Sequence, residues 1–119
     1  MTKVPKPGQP VRGSRSGKPI MALFDLLGRS WALGIIWQLA EAGALRGGRC
    51  GLTFRALQER CEGVSPTVLN RRLKELSASK LVERGAAGYQ LSAKGSELFQ
   101  LLQPFGEWST DWAAKLDQG

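Results

Sequence analysis

Ser65-Pro-Thr-Val-Leu-Asn-Arg-Arg-Leu-Lys-Glu-Leu76 decides how this chain is read. Ser65 can accept a hydrogen bond from an otherwise orphaned backbone N–H, and Pro66 suits the first helical position, where its missing N–H costs nothing. Leu69, Leu73 and Leu76 recur at i, i+4 and i+7 and share one face. Thr67, Asn70, Arg71 and Lys74 fall on the opposite face. A hydroxyl, an amide and two long cations along one solvent-facing ridge form the donor set that reads base edges and grips phosphates. The spacing predicts a recognition helix.

The flanking segments agree with that reading. Thr53 caps a preceding helix to about Cys61, with Phe54 and Leu57 inward, and Glu62-Gly63-Val64 makes the tight turn between the two. Two short helices joined by a glycine-containing turn are the helix-turn-helix pattern. Downstream, Leu81 to Arg84 and Tyr89 to Leu91 read as strands around the loop Gly85-Ala-Ala-Gly88, a hairpin placed as a wing. Ser92 caps a last long helix, which Pro104 should kink or divide.

Upstream, Pro19 to Leu27 predicts a short first helix ended by Gly28. Ser30 is expected to cap a second, apolar almost all round (Trp31, Leu33, Ile35, Ile36, Trp37, Leu39), which Gly43 should stop. Leu45 to Leu52 reads as a loop with one short edge strand. Residues 1–18 hold three prolines and few apolar side chains, too little to offset ordering entropy, so they are expected to form a disordered basic tail. That tail is read chiefly as a solubilising segment, with a phosphate-contacting arm as the minority reading. The folded domain is then 19–119.

The gross numbers bound the function. A chain of 119 residues with 42% hydrophobic content and four tryptophans suits one packed domain. Net charge is +7, and its distribution matters more than its size. Lys3, Lys6, Arg12, Arg15 and Lys18 face no acid in the tail, and eight cations oppose four anions between Arg49 and Arg84. Basic charge thus collects on the tail and on the recognition segment, as polyanion binding requires. Trp31 to Leu45, the longest apolar candidate, is interrupted by Gln38 and Glu41, and the first residues lack a secretory core, so a cytoplasmic protein without a membrane span is expected.

Enzyme chemistry is poorly served. The absence of histidine removes histidine-based triads and general bases. Two cysteines without histidine do not make a four-ligand zinc site, and no glycine-rich phosphate loop follows a strand. No metal, cofactor or catalytic residue is expected. Cys50 and Cys61 fit a reducing compartment as plain thiols, although Arg49 and Arg60 beside them keep a redox role in view.

With these residues in hand, the chain resembles the HxlR-type winged helix-turn-helix regulators of bacteria over roughly residues 19–116. The carrying segments are Asp25 to Trp31, Thr53 to Leu57, Ser65 to Leu76, Leu81 to Arg84, Tyr89 to Gly95 and the terminal Trp108. The resemblance implies a mainly α fold with a small β-hairpin, a winged helix-turn-helix dimerising through its N- and C-terminal helices. It also implies a homodimeric transcription factor on a pseudo-palindromic operator. Many relatives place a cysteine just before the proline that opens the first helix, where it senses electrophiles or oxidants; this chain has Lys18 there, so its inducer stays open.

Site roles follow. Thr67, Asn70 and Arg71 are the base readers, since amide-to-adenine and guanidinium-to-guanine contacts can be bidentate. Arg55, Ser65, Arg72, Lys74 and Arg84 are assigned to the DNA backbone, with an internal salt bridge equally open for Arg72. Ile20, Leu23, Phe24, Phe105, Trp108 and Trp112 are assigned to the dimer interface, where aromatics bury much area at low entropy cost. A small aromatic effector between the second and terminal helices stays open. The expected function is a sequence-specific regulator of double-stranded DNA, acting as a repressor because blocking a promoter needs no activating surface. The alternative is a winged-helix module that binds protein; an RNA reading lacks an aromatic platform beyond Tyr89.

Overall fold

A computed structural model of the protein describes residues 2–45 and 51–118. Most of the expected loop before Leu52, and Cys50 with it, lies outside the described residues. Among the described residues, six helices and one two-stranded sheet follow in order: α1 (Pro19–Leu27), α2 (Ala32–Leu45), α3 (Phe54–Arg60), α4 (Pro66–Ala78), β1 (Val82–Gly85), β2 (Gly88–Leu91), α5 (Ala93–Leu102) and α6 (Pro104–Asp117).

The helix starts obey local chemistry. Thr53 Oγ1 accepts from Ala56 N at 3.1 Å, Ser65 Oγ from Val68 N at 3.2 Å and Ser92 Oγ from Gly95 N at 3.0 Å. Each cap satisfies one orphan donor and contributes about 1 kcal/mol. The exit from α4 is as well defined. Lys80 takes a left-handed conformation (φ 65°), and Leu81 N returns to Leu76 O at 3.0 Å, which turns the chain sharply into β1.

Helix α2 lies at the centre, as its all-round apolar composition requires. Ile35, Ile36, Leu39 and Ala42 bury against Leu57 of α3, Leu69, Leu73 and Leu76 of α4, Val82 of β1, and Leu26 and Leu27 of α1. Each such aliphatic side chain contributes about 1.5–3 kcal/mol by leaving water. Trp37 sits at the rim, edge-to-face on Phe99 of α5 with ring centroids 5.0 Å apart.

In the wing, β1 and β2 pair antiparallel with Val82 opposite Leu91 and Arg84 opposite Tyr89. Leu52 adds a third, bridge-length segment: its N–H donates to Tyr89 O at 2.8 Å, and Tyr89 N donates back at 2.7 Å. A Cβ on Gly88 (φ +133°) would collide with the Leu52 carbonyl, so glycine is required for that approach.

Three departures from the sequence reading have physical causes. Ser30 does not cap α2; Trp31, at φ 71°, precedes the helix and its carbonyl accepts the Ile35 N–H at 2.9 Å. Ser30 is occupied elsewhere, as described below. Gly43 does not stop α2, which runs to Leu45; a glycine costs about 1 kcal/mol inside a helix, less than the packing of buried Leu39 and Ala42 supplies. Pro104, by contrast, divides the last helix as expected, and without opening a loop, because Gln103 keeps helical dihedrals and donates to Phe99 O at 2.8 Å. Residues 2–18, expected to be disordered, follow a defined path against α1, held by turn and side-chain hydrogen bonds that hydropathy does not register.

No single helix among the described residues is long and apolar enough to cross a membrane.

Candidate nucleic-acid interface

Helix α4 is locked from beneath. Leu69 and Leu76 are 0% exposed and Leu73 is 2% exposed, so the helix cannot roll without opening the core. Its opposite ridge is therefore fixed in direction. Thr67, Asn70, Arg71 and Lys74 all stand exposed on it, and neither Arg71 nor Lys74 has an ion-pair partner among the described residues. Two uncompensated cations beside a hydroxyl and an amide give a surface suited to phosphates and base edges.

The flanking candidates surround that ridge. Arg55, in the first turn of α3, lies 3.8 Å from Glu59 with both side chains largely in water. Such a pair is worth little, so a phosphate can replace the carboxylate. Ser65 Oγ is engaged as the cap of α4 and keeps its own hydroxyl proton for donation. On the wing, the Arg84 guanidinium rests 4.9 Å from the Tyr89 ring centroid. Tyr89 thus props the one cation of the hairpin, a role composition alone did not reveal.

Arg72 is corrected. Its side chain is only 12% exposed: Nε donates to Ser30 O at 2.8 Å, Nη2 to Ser30 Oγ at 3.3 Å and Nη1 to Glu75 Oε1 at 3.0 Å. The internal alternative holds, and the guanidinium is spent on the α1–α2 turn rather than on a phosphate. Sharing the same carboxylate, Arg29 Nη1 reaches Glu75 Oε2. Glu75 is the buried charged residue of this core, and two guanidiniums neutralise it. The Arg72–Glu75 half was legible at i, i+3. Arg29, 46 residues away in sequence, had no local signal. Together these groups pin α4 to the turn that leads into α2.

Cys61 is buried beside α3, and burial pushes its thiol above the usual range, opposed more weakly by Arg60. Arg60 also gives its Nε to Gln38 Oε1 at 3.0 Å. A buried thiol kept protonated is a poor nucleophile. Among the described residues no cluster of three or more potential metal ligands occurs.

A second surface has the opposite character. Ile20 and Phe24 on α1 are exposed, and so are Phe105 (65%), Trp108 (66%) and Trp112 (50%) on α6, whereas Leu23 is half-buried. Trp108 and Trp112 stack with centroids 6.1 Å apart. Phe24, Leu33, Trp37, Leu102 and Phe105 line an apolar cleft of about 330 Å³ where α1 and α2 meet the start of α6.

A helix-turn-helix with a fixed cationic ridge, followed by a propped hairpin, defines a winged helix-turn-helix protein. Residues 26–117 match the model of the HxlR-like helix-turn-helix family, and the chain belongs to that family. It is 27% identical over 96 residues to an HTH-type transcriptional regulator of Methanocaldococcus jannaschii, covering 77% of this chain and 83% of the relative. Among solved structures, quinone-bound YodB from B. subtilis aligns with a TM-score of 0.65 at 29% identity, over 78% of this chain and 97% of that one. A possible HxlR family transcriptional factor from Thermoplasma volcanium aligns with a TM-score of 0.62 at 28% identity, over 86% and 87% of the two chains. The protein is a helix-turn-helix transcriptional regulator of the DNA-binding kind.

Proposed function

We propose that the protein is a cytoplasmic homodimeric repressor that occupies a pseudo-palindromic operator. The observation that carries this is the locked α4: one face buried to the last leucine, the other presenting Thr67, Asn70, Arg71 and Lys74 to solvent. Asn70 and Arg71 read bases, with Thr67 beside them; Lys74, Arg55, Ser65 and Arg84 hold the backbone. Support for the dimer comes from the apolar surface of α1 and α6, since a contiguous row of aromatics in water marks an interaction site. Ile20, Leu23, Phe24, Phe105, Trp108 and Trp112 are its members.

The cleft beneath Phe24 and Phe105 is the place for a small aromatic effector, having apolar walls and room for one planar ring system. A relative solved with quinone bound is in keeping with such a ligand. Lys18 precedes Pro19 at the start of α1, so no thiol reports there.

Selection of random duplexes by the purified chain, with titration of the winner at two salt concentrations, tests the proposal. An inverted repeat with half-sites about 34–36 Å apart is expected, bound more weakly as salt rises. Sequence-blind binding that vanishes with salt would sink it and favour a module that binds acidic protein segments.

A further inference from the structure

Residues 2–18 precede the stretch matched by the family model, and they hold five cations without an acid. A loose tail of that composition would carry diffuse charge. Here it is a pinned hairpin. Val11 and Ser14 exchange backbone hydrogen bonds at 2.9 and 3.0 Å, and Gly8 N donates to Gly17 O at 2.9 Å. Ser14 Oγ accepts from both Gly17 N and Lys18 N at 3.1 Å. Gly17 is buried at φ +73°, where a Cβ would run into the Gln9 backbone. Asp25 of α1 clamps the hairpin: its Oδ2 accepts from Arg12 N at 3.1 Å, and its Oδ1 lies 3.9 Å from the Arg12 guanidinium.

The hairpin is anchored beside the recognition helix. Val4 to Pro7 share one cleft with Ala22 and Leu26 of α1 and with Ala78 to Leu81, where α4 ends. A second cleft sets Lys3 and Lys6 beside Asp25 and Arg29, and Arg29 is the residue tied through Glu75 to α4. Lys3, Lys6, Arg15 and Lys18 are exposed and have no carboxylate partner among the described residues. Asp25, the acid that lines the Lys3 and Lys6 cleft, is already engaged by Arg12.

We propose that residues 2–18 form a preorganised phosphate-binding arm that extends the grip of the recognition helix along the DNA backbone flanking each half-site. This rests on the operator-binding reading above. Four exposed cations on a scaffold packed against the end of α4 suit the polyanion that α4 itself engages, and prior ordering spares the entropy that a loose tail would lose on binding. Three lysines and one arginine on a surface hairpin hold phosphates without reading sequence, so the arm adds affinity and leaves base preference to Asn70 and Arg71.

The test is a titration of the full chain on its selected operator and on an unrelated duplex across a salt series. It compares wild type, the quadruple variant Lys3→Gln/Lys6→Gln/Arg15→Gln/Lys18→Gln, and Lys74→Ala. Loss of two or more phosphate contacts flattens the slope of log K against log salt by about 1.8, so from about 0.05 to 0.2 M wild type should lose roughly tenfold more affinity than the variant. The ratio of operator to unrelated binding should be unchanged. An unaltered slope in the quadruple variant, with Lys74→Ala still flattening it, overturns the arm and leaves the operator-binding reading standing. No slope change in either variant, with no sequence preference in wild type, removes both. If the quadruple substitution abolishes binding to phosphatidylserine vesicles and leaves duplex titrations untouched, the arm belongs to a membrane surface and the proposal fails.

Discussion

Helices α4 and α6 are built alike and end up opposed. Each begins with proline and runs for three to four turns with apolar residues at helical spacing. In α4 the leucines are buried, and Thr67, Asn70, Arg71 and Lys74 are offered to solvent. In α6 no residue is buried, and Phe105, Trp108, Trp112 and Leu116 lie open. Amphipathicity states only that a helix has something to bury. For α4 the chain itself supplies the cover, from α2 and β1. For α6 the described residues supply no such cover. On the function proposed above, the polar face is the working surface of α4 and the apolar face that of α6.

Five substitutions break or sharpen this contrast. Leu73→Ala should cost about 2–5 kcal/mol, because α4 cannot collapse into the cavity; denaturant unfolding would show it. Its counterpart on α6, Trp108→Asp, should leave unfolding of the isolated chain little changed yet cost about 2 kcal/mol or more in self-association. Sedimentation would then find monomers, and an unchanged dimer would remove Trp108 from the interface.

Glu75→Gln should lower stability by about 1.5–3 kcal/mol, since two guanidiniums lose a charged acceptor. It should also weaken operator binding by loosening α4 against the α1–α2 turn. Arg71→Ala, on the exposed ridge, should cost about 1–3 kcal/mol of operator affinity and relax preference at one base position while thermal stability holds. An unchanged selected motif would falsify its role as a base reader. The smallest effect belongs to Thr53→Ala, about 1 kcal/mol of stability from the lost cap on α3.

Where the sequence was legible, the cause was local. Thr53, Ser65 and Ser92 announce caps because a side-chain oxygen needs only its own next turn. The Leu69, Leu73, Leu76 stripe and the ridge opposite it follow from helix periodicity alone. Ser30 looked like a cap on the same grounds and is not one, because a distant arginine competes for it. Arg72, one step off the leucine stripe, had two destinations open to local reasoning; Ser30 and Glu75 settled between them.

By itself, then, the sequence determined the presence of the helices, the caps at Thr53, Ser65 and Ser92, the wing and the two faces of α4, since these depend on contacts within a few residues. Only the tertiary structure decided that Arg29 and Arg72 close on Glu75, that Leu52 joins Tyr89, that residues 2–18 fold back on Asp25, and that the apolar face of α6 finds no cover within the described chain. Those outcomes depend on which surfaces meet across long stretches of chain, and hydrophobic periodicity is silent about the identity of the partner.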